Sequence, residues 1–190
     1  MSTDIILCGV GGQGTILASK LIAAAAMKKN IPVKTAETIG MAQRGGSVFS
    51  HLRLGAGEGS PLIGKKRADL IIAFEPAEAV RQMPFLKEGG SVVVSSHPIL
   101  PVSAMIGDAA YDVEGIMDYL RHKVDRLTVV DSEAAARELG SMKVLNVVLL
   151  GAAVRSGALG LSEQDILAAI HERVPARFHE LNEKALAFAR

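Results

Sequence analysis

The amino-acid sequence predicts an α/β fold built on a mostly parallel sheet. Short apolar runs, each long enough for a buried strand, alternate with segments in which apolar residues recur at helical spacing. A glycine-rich turn separates the first strand from the first helix, and the pattern from residue 142 onward is helical throughout. Alternating strands and helices form a sheet with helices on both faces. The predicted architecture is therefore a Rossmann-like three-layer sandwich with a helical C-terminus.

The first unit is a strand, a turn, a helix and a second strand. Residues 5–8 form a continuous apolar run, which is typical of a strand buried on both faces. The turn over 9–14 leads into a helix over 15–29, which ends in basic residues that suit the negative end of the helix dipole. Pro32 then opens the strand Val33–Glu37. This order predicts a βαβ unit.

The later elements continue this alternation, with one exception. Strands are predicted over 69–74, 91–95 and 126–131, and helices over 76–86, 132–139, 142–155, 162–172 and after Pro175. Gly89 and Gly90 are expected to end the helix over 76–86. Residues 47–54 alternate like a half-exposed strand, and no helix separates them from 33–37. They form either a hairpin partner of that strand or an edge strand.

Length and composition exclude several classes of function. The chain has 190 residues, 49% of them hydrophobic, which suits a single domain over 1–190. Its net charge is +1 and it has no tryptophan, so binding to nucleic acid or to an anionic membrane through bulk charge is not expected. The apolar runs over 21–27 and 147–154 are shorter than the ~20 residues of a membrane span. Because the N-terminus has no export signal either, we expect a cytoplasmic protein.

Cys8 is the only cysteine in the chain. A single cysteine cannot form an internal disulfide or hold an iron–sulfur cluster by itself. Any redox or metal chemistry would therefore depend on another chain or a bound cofactor. Cys8 ends a buried strand and is expected to be a small core residue.

The turn Gly9-Val10-Gly11-Gly12-Gln13-Gly14 matches G-x-G-x-x-G between a strand and a helix, the context in which this pattern has physical meaning. Glycines let the backbone approach a phosphate, and the N-terminus of the helix attracts the anion. Glu37 ends the second strand, where dinucleotide-binding proteins place an acid for the ribose. NAD(P) or nucleotide binding is one interpretation; glycines that serve only close packing of strand and helix are the other.

A second glycine-rich loop, 40–47, follows Glu37. Its Arg44 could hold a phosphate or a carboxylate, or form a salt bridge across a subunit interface. In a parallel sheet both loops would lie at the carboxyl ends of neighbouring strands, where α/β folds bind ligands. This shared position predicts a site near Gln43 and Arg44.

Several motifs together resemble a known family. They are GVGGQG at 9–14, GMAQRGGSV at 40–48, SHLR at 50–53, ADLIIAFEP at 68–76, PFLKEGGSVV at 84–93 and NVVLLG at 146–151. This set resembles the gamma-type subunit of 2-oxoacid:ferredoxin oxidoreductases, which is called the beta subunit in the indolepyruvate branch. The resemblance covers roughly residues 4–155.

The resemblance implies a subunit of a larger enzyme. The complex would oxidatively decarboxylate a 2-oxoacid to an acyl-CoA and reduce ferredoxin, with thiamine diphosphate, magnesium and iron–sulfur clusters on partner subunits. Some gamma-type domains are associated with coenzyme A binding. The resemblance implies a hetero-oligomer, with a homodimer as one form of the isolated chain. It favours an indolepyruvate-type substrate; pyruvate, 2-oxoglutarate and branched-chain 2-oxoacids are the alternatives.

No catalytic residue and no metal ligand is assigned to this chain. The expected cofactor-binding residues are Gly9, Gly11, Gly12, Gln13, Gly14, Gln43, Arg44, Gly45 and Gly46. In this hypothesis the turn supplies a backbone-lined anion site, and Gln43 and Arg44 supply its side-chain contacts. A stand-alone NAD(P)- or nucleotide-binding protein and a regulatory module without an active site are the alternative functions.

Two further predictions concern polar residues outside these loops. His51 and Arg53 alternate with two leucines, so their side chains are expected on a solvated face, with an interface or ligand role as alternatives. Asn146 lies in an apolar helix and needs a buried partner, which is either the glycine turn or a partner subunit.

Overall fold

The computed structural model describes residues 2–37, 46–100 and 111–188. Its strands are β1 (Thr3–Val10), β2 (Val33–Glu37), β3 (Ser47–Leu54), β4 (Ala68–Ala73), β5 (Leu86–Ser95) and β6 (Arg126–Val130). They form one sheet in the order β2-β3-β1-β4-β5-β6. Strands β1, β4, β5 and β6 pair in parallel, whereas β3 is antiparallel to both of its neighbours. The prediction of a mostly parallel sheet is confirmed.

Helices cover both faces of this sheet. They are α1 (Thr15–Lys28), α2 (Pro76–Gln82), α3 (Val113–Lys123), α4 (Ser132–Leu139), α5 (Leu145–Arg155), α6 (Glu163–Arg173) and α7 (His179–Ala187). Helices α2 and α3 pack on one face, and the other five pack on the opposite face. This arrangement confirms the three-layer α/β architecture and the helical C-terminus. None of the described helices is both long and apolar enough to cross a membrane.

The alternation of side chains in β1 divides the core into two parts. Ile5 and Leu7 belong to the apolar cluster under α1 and α5, whereas Ile6 and Cys8 belong to the cluster under α2 and α3. All four side chains are fully buried. A central strand therefore needs apolar residues at every position, which is why residues 5–8 form an unbroken apolar run.

The boundary between α2 and β5 differs from the predicted one. Helix α2 ends earlier, because Pro84 lies in a 3₁₀ turn over Met83–Phe85 and cannot supply an amide N–H to continue the helix. Leu86 already begins β5. Gly89 and Gly90 therefore lie within a strand, and the prediction that they end the helix is wrong.

Strand β3 lies inside the sheet, between β2 and β1. In this pairing Glu37 of β2 is opposite Ser50, and Val10 of β1 is opposite Ser47. The hairpin-partner interpretation is confirmed, and the edge-strand interpretation is wrong because β2 forms the edge. The backbone of β3 is therefore hydrogen-bonded to a neighbouring strand on each side.

The structure buries His51 and partly buries Arg53, the two polar residues of β3 for which a solvated face is predicted. His51 is only 6% exposed; its ring packs edge-on against Phe85, with centroids 5.8 Å apart, and its Nδ1 accepts the N–H of Ile63. The segment after β3 thus covers this side of the strand. Arg53 donates two hydrogen bonds, of 2.9 and 3.2 Å, to the carboxylate of Asp4. The expectation of a solvated face is wrong for His51, and Arg53 forms an internal salt bridge.

Candidate functional site at the glycine turn

The glycine turn lies where β1 ends and α1 begins. Gly12 and Gly14 have positive φ angles of 104° and 83°, a conformation that residues with a Cβ rarely adopt. Gly14 is also the N-cap residue of α1 and has no side chain to cap the helix. The turn therefore needs glycine at these two positions, and it leaves the first-turn amides of α1 without a side-chain partner at the cap.

Two of the glycines also allow close packing. A Cβ on Gly9 would lie 2.9 Å from Cβ of Phe74, and a Cβ on Gly14 would lie 2.9 Å from Nδ2 of Asn146. Asn146 is itself buried, at 3% exposure. Of the two partners predicted for Asn146, the structure therefore places the glycine turn against it. Part of the glycine pattern serves packing, as the structural interpretation predicts.

The side chain of Gln13 binds within the protein. Its Oε1 accepts the N–H of Val10 at 2.7 Å, and its Nε2 donates to the carbonyl of Phe74 at 2.8 Å. Its backbone N–H bonds to the carbonyl of Val10. Gln13 therefore ties the turn to the end of β4, and its carboxamide is occupied by these bonds.

The second loop returns to the sheet beside the glycine turn. The N–H of Gly11 donates to the carbonyl of Gly46 at 2.9 Å. Three of the predicted site residues, Gln43, Arg44 and Gly45, lie outside the described residues. Gly46 lies beside the turn because the start of β3 pairs with the end of β1. The prediction that the two loops follow neighbouring strands is wrong, because β3 lies between β2 and β1.

Two buried carboxylates lie at the same edge of the sheet. A cavity of about 280 Å³ opens between the end of β1, the start of β3 and the start of α2, and Glu75, Glu78, Arg81 and Tyr111 line it. Glu75 is 1% exposed and Glu78 is 2% exposed. One guanidinium beside two carboxylates leaves an excess of negative charge, so this cavity does not suit a phosphate.

Each of these carboxylates holds a neighbouring segment. Glu75 caps α2 by accepting the N–H of Glu78, and it also accepts the hydroxyl of Tyr111. Glu78 accepts the hydroxyl of Ser47 at 2.6 Å and pairs with Arg81. Burial and the bond to Glu75 raise the pKa of Tyr111 above its ordinary value. The two acids thus anchor Ser47, the first residue of β3, and Tyr111, which lies two residues before α3.

Cys8 lies in the same region and is fully buried. Burial, together with the charges of Glu78 and Glu75, raises the pKa of its thiol well above the ordinary value. A neutral buried thiol is a poor nucleophile and a poor metal ligand. Within the described residues no group of three or more His, Cys, Asp or Glu side chains could hold a metal ion.

Sequence reasoning did not identify the two acids, although one signal was available. Glu75 follows the buried strand β4 and precedes Pro76, so it occupies a helix N-cap at the carboxyl edge of the sheet. Its role becomes visible only once Tyr111 is brought next to it, which no local pattern predicts.

Comparison with known proteins identifies the family. Residues 4–190 match the family described as pyruvate ferredoxin/flavodoxin oxidoreductase. The chain belongs to this family. Subunit IorB of the indolepyruvate oxidoreductase of Archaeoglobus fulgidus is 39% identical to the chain over 187 residues, which cover 98% of this chain and 92% of that protein.

Solved structures of this oxidoreductase family share the fold. The gamma subunit of a keto/oxoacid ferredoxin oxidoreductase from Geobacter sulfurreducens has a TM-score of 0.68 at 26% identity, over 97% of this chain and 94% of that chain. The 2-oxoglutarate:ferredoxin oxidoreductase of Magnetococcus marinus, solved with 2-oxoglutarate, coenzyme A and succinyl-CoA bound, has a TM-score of 0.69 at 20% identity. This chain covers 30% of that larger chain and shares its fold.

The predicted family and function are confirmed at this level: the chain is a subunit of a 2-oxoacid:ferredoxin oxidoreductase. None of these relatives is named as a stand-alone nucleotide-binding protein.

Proposed function

We propose that this chain serves an indolepyruvate-type oxidoreductase, as the subunit that holds neither thiamine diphosphate nor an iron–sulfur cluster. The observation that carries this proposal is the 39% identity to an indolepyruvate oxidoreductase subunit over 98% of the chain. The 2-oxoacid would be decarboxylated on partner subunits in the cytoplasm, with ferredoxin as the electron acceptor. Thiamine diphosphate, magnesium and the clusters would belong to those partners.

The donor set of this chain supports that division of labour. An iron–sulfur cluster is held by several thiolates, and the chain has one cysteine, which is buried and has a raised pKa. Mg²⁺ bound together with a diphosphate takes one or two protein carboxylates as ligands, and these must be free to coordinate it. Glu75 and Glu78 are instead buried and bonded to protein groups.

Contact with coenzyme A is the finer part of the proposal. Its anionic groups would meet the turn over 9–14 and the loop residues Gln43, Arg44, Gly45 and Gly46. The bond between Gly11 and Gly46 supports a shared site, since it joins the two loops at one point. The amides of Gly11 and Gln13 are engaged within the protein. The amides of Gly12 and Gly14 and those of the first turn of α1 would therefore be the backbone donors, with Arg44 as the counter-charge.

The test uses the assembled complex, with this chain and its thiamine- and cluster-bearing subunits expressed together. Viologen or ferredoxin reduction is measured with indolepyruvate, pyruvate and 2-oxoglutarate, and the highest kcat/KM is expected for indolepyruvate. Preference for another 2-oxoacid would overturn the substrate assignment. A chain that forms no complex with such subunits and binds NAD tightly would overturn the proposal as a whole.

The coenzyme A contact is tested separately by replacing Arg44 with alanine. We expect the affinity of the complex for coenzyme A to fall by about tenfold to a hundredfold, since a charge-assisted pair contributes about 1.5–3 kcal/mol. Arg126→Ala is the matched control, because Arg126 is exposed at the opposite edge of the sheet. Unchanged affinity in an intact Arg44→Ala complex would exclude the contact.

A further inference from the structure

A second concave surface lies on the other side of the glycine turn, between α1, α5 and the segment that joins α6 to α7. We call it the α1/α7 groove. Its volume is about 430 Å³, and its lining is predominantly apolar. The apolar lining residues are Leu17, Val144, Val174, Pro175, Phe178 and Leu181.

The groove contains large apolar side chains that the fold leaves exposed. Leu17 is 37% exposed and Phe178 is 42% exposed. Ile16, which precedes Leu17 in the chain, is 43% exposed, and Met142, which lies between the lining residues Ser141 and Lys143, is 42% exposed. Of the nine large hydrophobic side chains that are exposed in the described part of the molecule, two line the groove and two more adjoin lining residues in the chain. Such a concentration marks an interaction surface, because isolated exposed apolar residues are common but clusters are not.

The charged residues that line the groove are basic. Lys143 and Arg173 line it, and the guanidinium of Arg177 lies 4.8 Å from the centre of the Phe178 ring. Arg173 has one neighbouring acid, Glu172, at 3.2 Å. Among the described residues that line the groove, none is acidic. Because the whole chain carries a net charge of only +1, this basic rim is a local feature rather than a reflection of bulk charge.

We propose that the α1/α7 groove binds a segment of a partner subunit that presents apolar side chains flanked by carboxylates. This inference rests on the proposed function, since the partner is another subunit of the same oxidoreductase. Apolar side chains would fill the groove over Leu17 and Phe178, and carboxylates would pair with the basic rim. Apolar contacts of this kind provide most of the affinity, and the charges provide orientation and partner choice.

The groove is also continuous with the candidate site. Asn146 lines it and, on its other side, lies against Gly14. A segment seated in the groove would therefore place the partner subunit next to the first turn of α1, at the edge of the sheet where the two glycine loops meet. The docking surface and the coenzyme A site would be neighbours, and the partner would be positioned to complete that site.

The test compares assembly of the complex for Leu17→Glu and Phe178→Glu with assembly for Met27→Glu. All three side chains are exposed, so each variant is expected to fold, which circular dichroism verifies. Met27 is 61% exposed in the last turn of the same helix as Leu17 and lies outside the groove, so it is the matched control. We expect each groove variant to weaken binding of the partner subunits by tenfold or more, and Met27→Glu to leave binding unchanged.

The basic rim is tested by Lys143→Glu and by salt. The charge reversal is expected to weaken assembly and to reduce its dependence on ionic strength. Hydrogen exchange in the wild-type complex should show protection over 141–146 and 173–182. Groove variants that assemble like the wild type would overturn the docking proposal and leave the proposed function standing, whereas a wild-type chain that binds no such subunit would overturn both. Loss of self-association alone would assign the groove to a second copy of this chain, against the proposal.

Discussion

The carboxamide nitrogen of Gln13 donates a hydrogen bond to the carbonyl oxygen of Phe74, 2.8 Å away, and so connects the glycine turn to the end of the next strand. The oxygen of the same carboxamide accepts the N–H of Val10. Residues of a phosphate-binding turn are expected to keep their polar groups for the ligand. Here the Gln13 side chain instead uses its polar groups to join the turn to the ends of the parallel strands β1 and β4.

Replacing Gln13 with leucine should therefore destabilise the protein. The variant leaves the N–H of Val10 and the carbonyl of Phe74 without these partners, and each buried unpaired group costs about 1–3 kcal/mol. We expect the free energy of unfolding, measured with urea, to fall by about 2–4 kcal/mol. Gln164→Leu on the exposed surface of α6 is the control and should change stability by less than about 0.5 kcal/mol. Similar losses in the two variants would show that the tie has no energetic role.

Alanine at Gly14 should cost more than alanine at Gly140. Both residues have positive φ, 83° and 70°, so both variants carry backbone strain of about 1–2 kcal/mol. Only at Gly14 does the added Cβ meet a neighbour, Nδ2 of Asn146 at 2.9 Å. The excess destabilisation should largely disappear when both alanine variants are made in an Asn146→Ala background. An excess that persists without the Asn146 side chain would contradict the packing explanation.

The buried thiol of Cys8 should make the protein less stable at alkaline pH. Its folded-state pKa is raised, so the folded state retains a proton that the unfolded state loses above about pH 8.5. Stability should therefore fall as pH rises from 8.5 to 9.5, by up to about 1.4 kcal/mol per pH unit from this group. Urea unfolding of Cys8→Ala should show a correspondingly smaller slope over the same window. Equal slopes would exclude this contribution.

Buried His51 should make the protein less stable at acidic pH. Burial lowers its pKa, and its Nδ1 accepts a backbone hydrogen bond that protonation would break. The unfolded state gains a proton below about pH 6.5 before the folded state does, so stability should fall between pH 6.5 and 5.5. His51→Asn, whose amide oxygen can accept the same bond, should reduce this loss. Replacement of the exposed His122 by asparagine should not.

The strands, turns and helices that depend on residues close together in the chain could be predicted from the sequence. The apolar run at 5–8, the turn at 9–14 and the strand at 47–54 all follow from residues close together in the chain, and the structure contains each of them. The helix predicted over 162–172 is also present as α6, which begins at a capping box formed by Ser162 and Asp165. Such features depend on periodicity and on turn chemistry, which one sequence displays directly.

Features that depend on distant residues could not be predicted. The alternation in 47–54 suggested one solvated face, but the segment around Ile63 folds over His51 and buries it. The role of Glu75 needs Tyr111, which lies far along the chain. The choice between a hairpin partner and an edge strand likewise depended on which strand pairs with the free side of β3. These outcomes are set by tertiary packing rather than by local propensity.

The reversed strand β3 has a consequence for nucleotide recognition. In dinucleotide-binding folds the acid that grips the ribose ends the strand directly beside the glycine turn. Here Glu37 is opposite Ser50, which is in turn opposite Leu7, so one whole strand separates the acid from β1. At the usual spacing between strands, β2 and β1 are therefore about 10 Å apart. The G-x-G-x-x-G turn is therefore present in a sheet with a different strand order. Because β3 lies between β1 and β2, Glu37 is too far from the turn to bind the ribose of an adenosine as the acid does in dinucleotide-binding folds.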